Sequence, residues 1–131
     1  MTTGATPSDR KYQKTHEWVK VEGNRATVGI TDHAQSELTD IVFVDLPAVG
    51  TAVAAGKTVL SLESVKTVSD VYAPGSGKSV ETNGELKAHP ELVNQDPYGR
   101  GWLVRITLAG ALDDSALLTA DAYRRTLETS G

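Results

Sequence analysis

The 131-residue sequence contains no cysteine. This absence excludes disulfide bonds, thiolate metal ligands and cysteine nucleophiles, so any sulfur chemistry would have to be brought in by a cofactor. The sequence also has no apolar run long enough to span a bilayer, and its first ten residues lack the apolar segment of a secretory signal. We therefore expect a soluble, cytoplasmic protein of the bacterial type, without a targeting segment.

Positive charge is scarce as well. The chain has 13 lysines and arginines against 17 acidic residues, for a net charge of −4. This balance has the wrong sign for neutralising a phosphate backbone, so we expect no nucleic-acid partner. The length is typical of one domain. We predict a flexible N-terminal segment over residues 1–11, a single domain over residues 12–131, and a monomer.

Long segments without glycine or proline are scarce too. These residues recur through most of the chain and leave short apolar runs between them. This rhythm is typical of an all-β protein. Residues 18–30 predict a hairpin with its turn at GluGlyAsn, and Thr31 is placed to cap a short helix. Near the C-terminus, Thr119 is placed to cap an amphipathic helix that contains Tyr123, and we expect this helix to pack on the β core.

The most informative residue is Lys66, at the centre of the segment LeuGluSerValLysThrValSerAspVal. Two short alternating strands meet at this lysine, with no glycine, asparagine or proline where a turn would expect one. A lysine at a hairpin tip is solvated, and its flexible stem suits a group that must reach into other proteins. The segment therefore predicts attachment rather than catalysis, and on its own it leaves several acyl and biotinyl carriers open.

Further motifs surround this segment. ThrHisGluTrpVal and GlyIleThrAspHisAla precede it, and ValTyrAlaPro, ProGluLeuValAsn and AspProTyrGlyArgGlyTrp follow it. In this order they resemble the H-protein family of the glycine cleavage system, from about Tyr12 to Leu127. The resemblance implies an all-β fold, a flattened barrel-sandwich hybrid of the lipoyl and biotinyl carrier type, with short helices and a C-terminal helix.

The resemblance also implies a cofactor and partners. Lipoate would be joined to Lys66 through an amide, which would make the net charge one unit more negative than −4. The protein would carry the aminomethyl group of glycine from the P protein, a pyridoxal phosphate glycine decarboxylase, to the T protein, a tetrahydrofolate aminomethyltransferase. The L protein, a dihydrolipoyl dehydrogenase, would then reoxidise the arm. Lipoate-attaching enzymes would be further partners, and the chain itself would be a non-catalytic carrier.

Two groups of site residues follow from the same resemblance. Residues that lipoate-attaching enzymes would recognise are Glu63, Gly50 and Gly77, although a solvated strand residue and two turn glycines explain these residue types equally well. Residues that would line a cleft for the loaded arm are Glu17, Thr15, Asp70 and His33. In such a cleft a carboxylate can hold a cationic aminomethyl nitrogen by a charge-assisted hydrogen bond.

Other functions stay open at this point. A relay protein that passes lipoyl or octanoyl groups to 2-oxoacid dehydrogenases would use the same Lys66. A biotin carrier would flank its lysine with methionines, but the only methionine is Met1, and a lipoyl domain of a 2-oxoacid dehydrogenase would normally be shorter and joined to more chain. An enzyme is least favoured, because the chain has no GlyXSerXGly elbow, phosphate loop or HisGluXXHis pattern. We therefore predict no catalytic residues. His16 and His89 lack metal-ligand spacing, so we also predict no metal site.

Gly75 departs from the family pattern, in which a branched apolar residue is common at this position. Glycine costs roughly 0.5–1 kcal/mol in ordered structure. We therefore expect a looser turn over residues 74–77 and weaker packing at that edge of the domain.

Overall fold

A computed structural model describes residues 6–110, 112 and 117–130, so residues 1–5 of the predicted N-terminal segment lie outside it. Within these ranges the chain forms nine strands and four helices. The strands are β1 (Lys11–Tyr12), β2 (Glu17–Glu22), β3 (Arg25–Ile30), β4 (Ile41–Asp45), β5 (Ala52–Val53), β6 (Thr58–Ser64), β7 (Val68–Tyr72), β8 (Gly77–Thr82) and β9 (Val104–Leu108). The helices are α1 (Asp32–Leu38), α2 (Glu85–Ala88), α3 (Leu92–Gln95) and α4 (Ala120–Ser130). None of these helices is long and apolar enough to cross a membrane.

The strands form two antiparallel sheets. The larger sheet has the order β1-β2-β3-β9-β8-β5, and the smaller has the order β4-β6-β7. Alternation along each strand turns one set of side chains inward and exposes the other. The inward set forms one apolar core with residues of the short helices: Val19, Ala26, Val28, Ile30, Leu38, Ile41, Val44, Leu60, Leu62, Val71, Leu86, Leu92, Val93, Leu103, Val104 and Ile106. This all-β barrel-sandwich, with its short helices and C-terminal helix, is the predicted fold.

The local predictions near the first hairpin are confirmed. Strands β2 and β3 pair directly through a turn in which Gly23 has a φ of 64°. Thr31 is the N-cap of α1, and its hydroxyl oxygen accepts a hydrogen bond from the Ala34 N–H at 3.2 Å. This bond satisfies one of the N–H groups that a helix leaves without a partner at its start.

Aromatic residues form a second buried cluster on the outside of the larger sheet. Tyr12, Trp18, Ala120 and Tyr123 are all at most 6% exposed. The rings of Tyr12 and Tyr123 stack with their centroids 4.9 Å apart. The cluster attaches α4 to β1 and β2, which confirms the prediction that an amphipathic C-terminal helix packs on the β core.

The expectation of loose packing around Gly75 is wrong. Gly75 is buried, and a Cβ atom at this position would lie 2.5 Å from Cδ2 of Leu112. The leucine side chain therefore occupies the space that a branched residue at position 75 would fill. The turn keeps its packing because the apolar atoms are supplied by a more distant part of the chain.

Gly29 gives a test of packing between the sheet and the aromatic cluster. It pairs with Trp18, and a Cβ atom at Gly29 would lie 2.6 Å from the indole ring. We expect Gly29→Ala to lower the free energy of unfolding by roughly 1–3 kcal/mol, because a close-packed aromatic ring must move. Gly84→Ala is the matched control, since Gly84 has a φ of −62° and open space around its Cα. Equal urea midpoints for the two variants would contradict this account of Gly29.

Candidate functional site

Lys66 lies at the exposed tip of the hairpin that joins β6 to β7. The Ser64 hydroxyl oxygen accepts hydrogen bonds from the N–H groups of Lys66, at 3.1 Å, and Thr67, at 3.0 Å. The Ser64 N–H in turn donates to the Thr67 carbonyl at 2.8 Å. A serine side chain thus closes the turn, and no residue of the tip needs a left-handed backbone. This arrangement explains why the tip contains no glycine, asparagine or proline.

The outer face of the smaller sheet surrounds this tip. Phe43 on β4, Glu63 on β6 and Val68 on β7 are paired across the three strands and all three are exposed. Val65, next to Lys66, is 68% exposed, and its N–H donates to the Asp40 carbonyl at 3.0 Å. The lysine is therefore presented beside apolar side chains and a carboxylate, which is a surface that another protein can contact.

A cleft of about 230 Å³ opens between α1, β7 and the start of β2. Its lining brings together all four residues predicted for this role: Thr15, Glu17, His33 and Asp70. The rest of the lining is five apolar side chains and three polar ones: Ile30, Ala34, Leu38, Leu62 and Val71, with His16, Glu37 and Ser69. Asp70 lies four residues from Lys66, or about 13 Å along an extended strand. The cleft and the lysine therefore share β7.

Glu17 is the best-defined group in this cleft. Its side chain is only 1% exposed, and its Oε2 accepts a hydrogen bond from the Tyr72 N–H at 3.0 Å. The Thr15 hydroxyl donates to Oε1, and the Gln13 amide donates to the same oxygen at 3.3 Å. Because Glu17 belongs to β2 and Tyr72 to β7, the carboxylate joins the two sheets.

Burial raises the pKa of Glu17 to about 7, although the hydrogen bonds from Thr15 and Tyr72 act in the opposite direction. The loss of hydration disfavours the charged carboxylate more than these donors favour it. Near neutral pH the group is therefore divided between its protonated and ionised forms. A cation entering the cleft would favour the ionised form.

Two histidine side chains, each from a different element, line the cleft and contact each other. His33 is the second residue of α1, and its ring centroid is 4.7 Å from that of His16. Burial, followed by the proximity of His33, holds the pKa of His16 below its usual value. His16 also has a φ of 73°, a left-handed backbone that is uncommon for residues other than glycine.

The two glycines predicted for recognition lie close to each other and away from the lysine. Gly50 has a φ of 91°, and its N–H donates to the Ser79 carbonyl at 2.7 Å. Gly77 pairs with Val53, and a Cβ atom there would overlap the carbonyl oxygen of Thr107. Backbone geometry is thus sufficient to require glycine at both positions. Their contact with lipoate-attaching enzymes stays a prediction, as does that of Glu63.

Several residues of the site were not predicted from the sequence. Gln13 contacts Glu17, and Glu37 and His16 line the cleft. Gln13 and Thr15 lie in the turn between β1 and β2, so no strand periodicity could show that they meet Glu17. Glu37 follows His33 by four residues, which places both on one side of α1. For His16 the signal was hidden, because its structural partners come from a distant helix.

The fold and site define a class: a barrel-sandwich domain of the carrier type, with an exposed lysine at a hairpin tip and an acidic cleft beside it. The sequence pattern of the glycine cleavage H-protein family matches residues 10–130. The chain belongs to this family.

Individual relatives agree with this assignment. The chain is similar to the glycine cleavage system H protein of Rubrobacter xylanophilus, with 53% identity over 93% of this chain and 94% of the relative. It is 55% identical to that of Staphylococcus haemolyticus, over 92% of this chain and 95% of the relative. The crystal structure of a glycine cleavage system H protein from Mycobacterium marinum superposes with a TM-score of 0.85 at 41% identity, covering 93% of this chain and 98% of the other.

The raised pKa of Glu17 predicts a pH dependence of stability. The folded protein holds this proton more tightly than the unfolded chain, so the stability contribution is present below about pH 4.5 and is lost as the pH rises to about 7. As the pH rises through this window, the free energy of unfolding of wild type should fall by about 3 kcal/mol relative to that of Glu17→Gln. One pKa unit corresponds to about 1.4 kcal/mol. Urea denaturation at a series of pH values measures the difference. The exposed Glu22 serves as a control through Glu22→Gln. A constant difference between Glu17→Gln and wild type would contradict the raised pKa.

Proposed function

We propose that this protein carries lipoate, amide-linked to Lys66, and moves the aminomethyl group of glycine between enzymes of the glycine cleavage system. The group is received from the P protein and delivered to the T protein, and the L protein reoxidises the arm. The chain is a carrier and breaks no bond of its own. The observation that carries this proposal is the pairing of an exposed lysine tip with a cleft that contains Thr15, Glu17 and Asp70. The bacterial relatives support a cytoplasmic setting.

The residues present fit a lipoyl group and its cargo. Ser64 holds the backbone of the tip while leaving the Lys66 side chain exposed, as an attaching enzyme requires. The cleft has an apolar lining that suits an aliphatic arm, and carboxylates that suit an ammonium group. When bound, lipoate supplies the sulfur that accepts the aminomethyl group, which a chain without cysteine cannot supply.

The cleft residues protect the cargo by electrostatics and by exclusion of water. In the empty cleft the ionised form of Glu17 is disfavoured by burial. A cationic nitrogen compensates this cost, because a buried charge is stable when it is paired and hydrogen-bonded. Thr15 and the Tyr72 N–H hold the carboxylate in place, and Asp70 adds negative charge at the rim. Apolar side chains around them limit access of water to the carbon–sulfur bond.

The proposed attachment site gives the first prediction of the proposed function itself. After coexpression with a lipoate ligase, we expect the intact mass of the protein to rise by one lipoyl group, and Lys66→Arg to abolish this rise. Lysine and arginine are both cationic, so the variant tests the reactive amine and not the charge. Modification of the Lys66→Arg protein would overturn the assignment.

Reconstitution tests the rest of the proposal. The lipoylated protein, mixed with the P, T and L proteins, glycine, tetrahydrofolate and NAD⁺, should support reduction of NAD⁺ to NADH, whereas the Lys66→Arg protein should not. Transfer of lipoyl or octanoyl groups to a 2-oxoacid dehydrogenase domain is assayed in parallel. Relay activity without glycine oxidation would replace the proposed function by the relay role.

Recognition by the attaching enzyme gives a second prediction. Glu63 lies between Phe43 and Val68 on the face that surrounds Lys66. We expect Glu63→Gln to slow lipoylation by about fivefold, because one charge-assisted hydrogen bond to the enzyme is lost. Glu22→Gln removes the same charge from an exposed strand position of the other sheet and should leave the rate unchanged. Equal rates for Glu63→Gln and Glu22→Gln would exclude Glu63 from recognition, provided that thermal midpoints match.

A further inference from the structure

One hydroxyl group lies behind the cleft and contacts both of its walls. Tyr123 belongs to α4, is 1% exposed and is not part of the cleft lining. Its hydroxyl oxygen is 2.7 Å from the Thr31 hydroxyl and 2.7 Å from Nδ1 of His16. Thr31 begins the helical wall, and His16 lies between Thr15 and Glu17 in the opposite wall. The hydroxyl is therefore a bridge between them.

The hydrogen bonds of this bridge are mutually consistent. The Thr31 hydroxyl oxygen accepts from the Ala34 N–H, so its own proton is free to be donated to the tyrosine oxygen. The tyrosine proton can then be donated to Nδ1 of a neutral His16. Burial lowers the pKa of His16, which favours this neutral ring. Each of the two hydroxyl groups thus donates once, and each group in this series of hydrogen bonds has a partner.

Both walls depend on the residues that the bridge contacts. Thr31 caps α1, and α1 contributes His33 and Glu37 to the cleft. On the other side, the Thr31 N–H donates to the His16 carbonyl at 3.0 Å, and the left-handed backbone of His16 leads directly into Glu17. A shift of His16 therefore moves the carboxylate, and a shift of Thr31 moves the helix that faces it.

We propose that Tyr123 is a positioning residue for the cleft, which fixes the separation of its two walls through the hydroxyl bonds to Thr31 and His16. Its role in retaining the cargo rests on the proposed carrier function. By this bridge the C-terminal helix, which contributes nothing to the lining described above, controls how tightly the cleft holds a cationic arm.

The test removes single hydroxyl groups. Tyr123→Phe keeps the buried ring stacked on Tyr12 and removes only the bridge. Tyr12→Phe is the matched control, because Tyr12 belongs to the same stack and is equally buried, while its hydroxyl donates to the Pro7 carbonyl and not to the cleft. Loss of stability alone should be similar in the two variants.

The first readout is hydrogen exchange of the unmodified protein. We expect Tyr123→Phe to accelerate exchange of the Ala34 and Gln35 amides, which bond to Thr31, by about fivefold relative to amides of β8 and β9. Tyr12→Phe should not produce this selective change. His16→Asn is a second variant that cuts the other end of the bridge, since asparagine tolerates a left-handed backbone. Exchange that rises equally throughout the protein in both Tyr123→Phe and His16→Asn would overturn the proposal.

The second readout is release of formaldehyde from the lipoylated, aminomethyl-loaded protein in the absence of the T protein. We expect about fivefold faster release from Tyr123→Phe than from Tyr12→Phe. Formaldehyde release could stay unchanged although the Ala34 and Gln35 amides exchange faster. The bridge would then position the cleft only in the unloaded protein, and its role in retaining the cargo would be overturned. Because the exchange measurement needs no lipoate, it tests whether the Tyr123 hydroxyl positions the walls even if Lys66 proves not to be the attachment site.

Discussion

The site depends on a carboxylate buried where the two sheets meet. Glu17 belongs to the larger sheet, yet it accepts a hydrogen bond from the backbone of β7 in the smaller one. A glutamine could accept the same backbone hydrogen bond at a lower electrostatic cost, because an ionised group loses its hydration on burial. The cost indicates a requirement beyond folding. The proposed function supplies such a requirement, because a group that is to recognise a cation and shield it from water has to be both acidic and buried.

The same strand serves two opposite requirements. Lys66, two residues before the start of β7, is exposed, as the proposed attachment requires, whereas Glu17, bonded to Tyr72 at the other end of the strand, is enclosed. Hydrogen bonds to β6 keep β7 extended between these points. The separation of the attachment point from the cleft is thus a property of regular strand geometry, and it does not require a dedicated spacer.

Much of this organisation was accessible from the sequence because it rests on local rules. The N-cap at Thr31, the first hairpin and the amphipathic face of α4 each follow from residues within a few positions of one another. The four cleft residues came from motif resemblance, not from physics. Their separation along the chain, from Thr15 to Asp70, explains why periodicity alone could not bring them together.

What the sequence could not give depends on long-range packing. Gly75 looked like a defect because the compensating Leu112 is distant in sequence, and the left-handed His16 looked unremarkable because Tyr123 is more than a hundred residues away. Such pairs have no local signature. The second of them, His16 with Tyr123, is the pair through which the proposed bridge holds the cleft.

The lysine hairpin is anchored by its own turn and by β6, so its geometry is set without help from the C-terminal helix. The cleft differs, because one of its sides is the irregular turn before β2, beside α1 and the paired strand β7. Irregular segments need external bonds to stay in place, since no ladder of strand pairing fixes them. Attachment and retention are therefore separable in this fold. Under the proposed function, changes in α4 alter how long a cargo is held and leave the lysine equally available to the attaching enzyme.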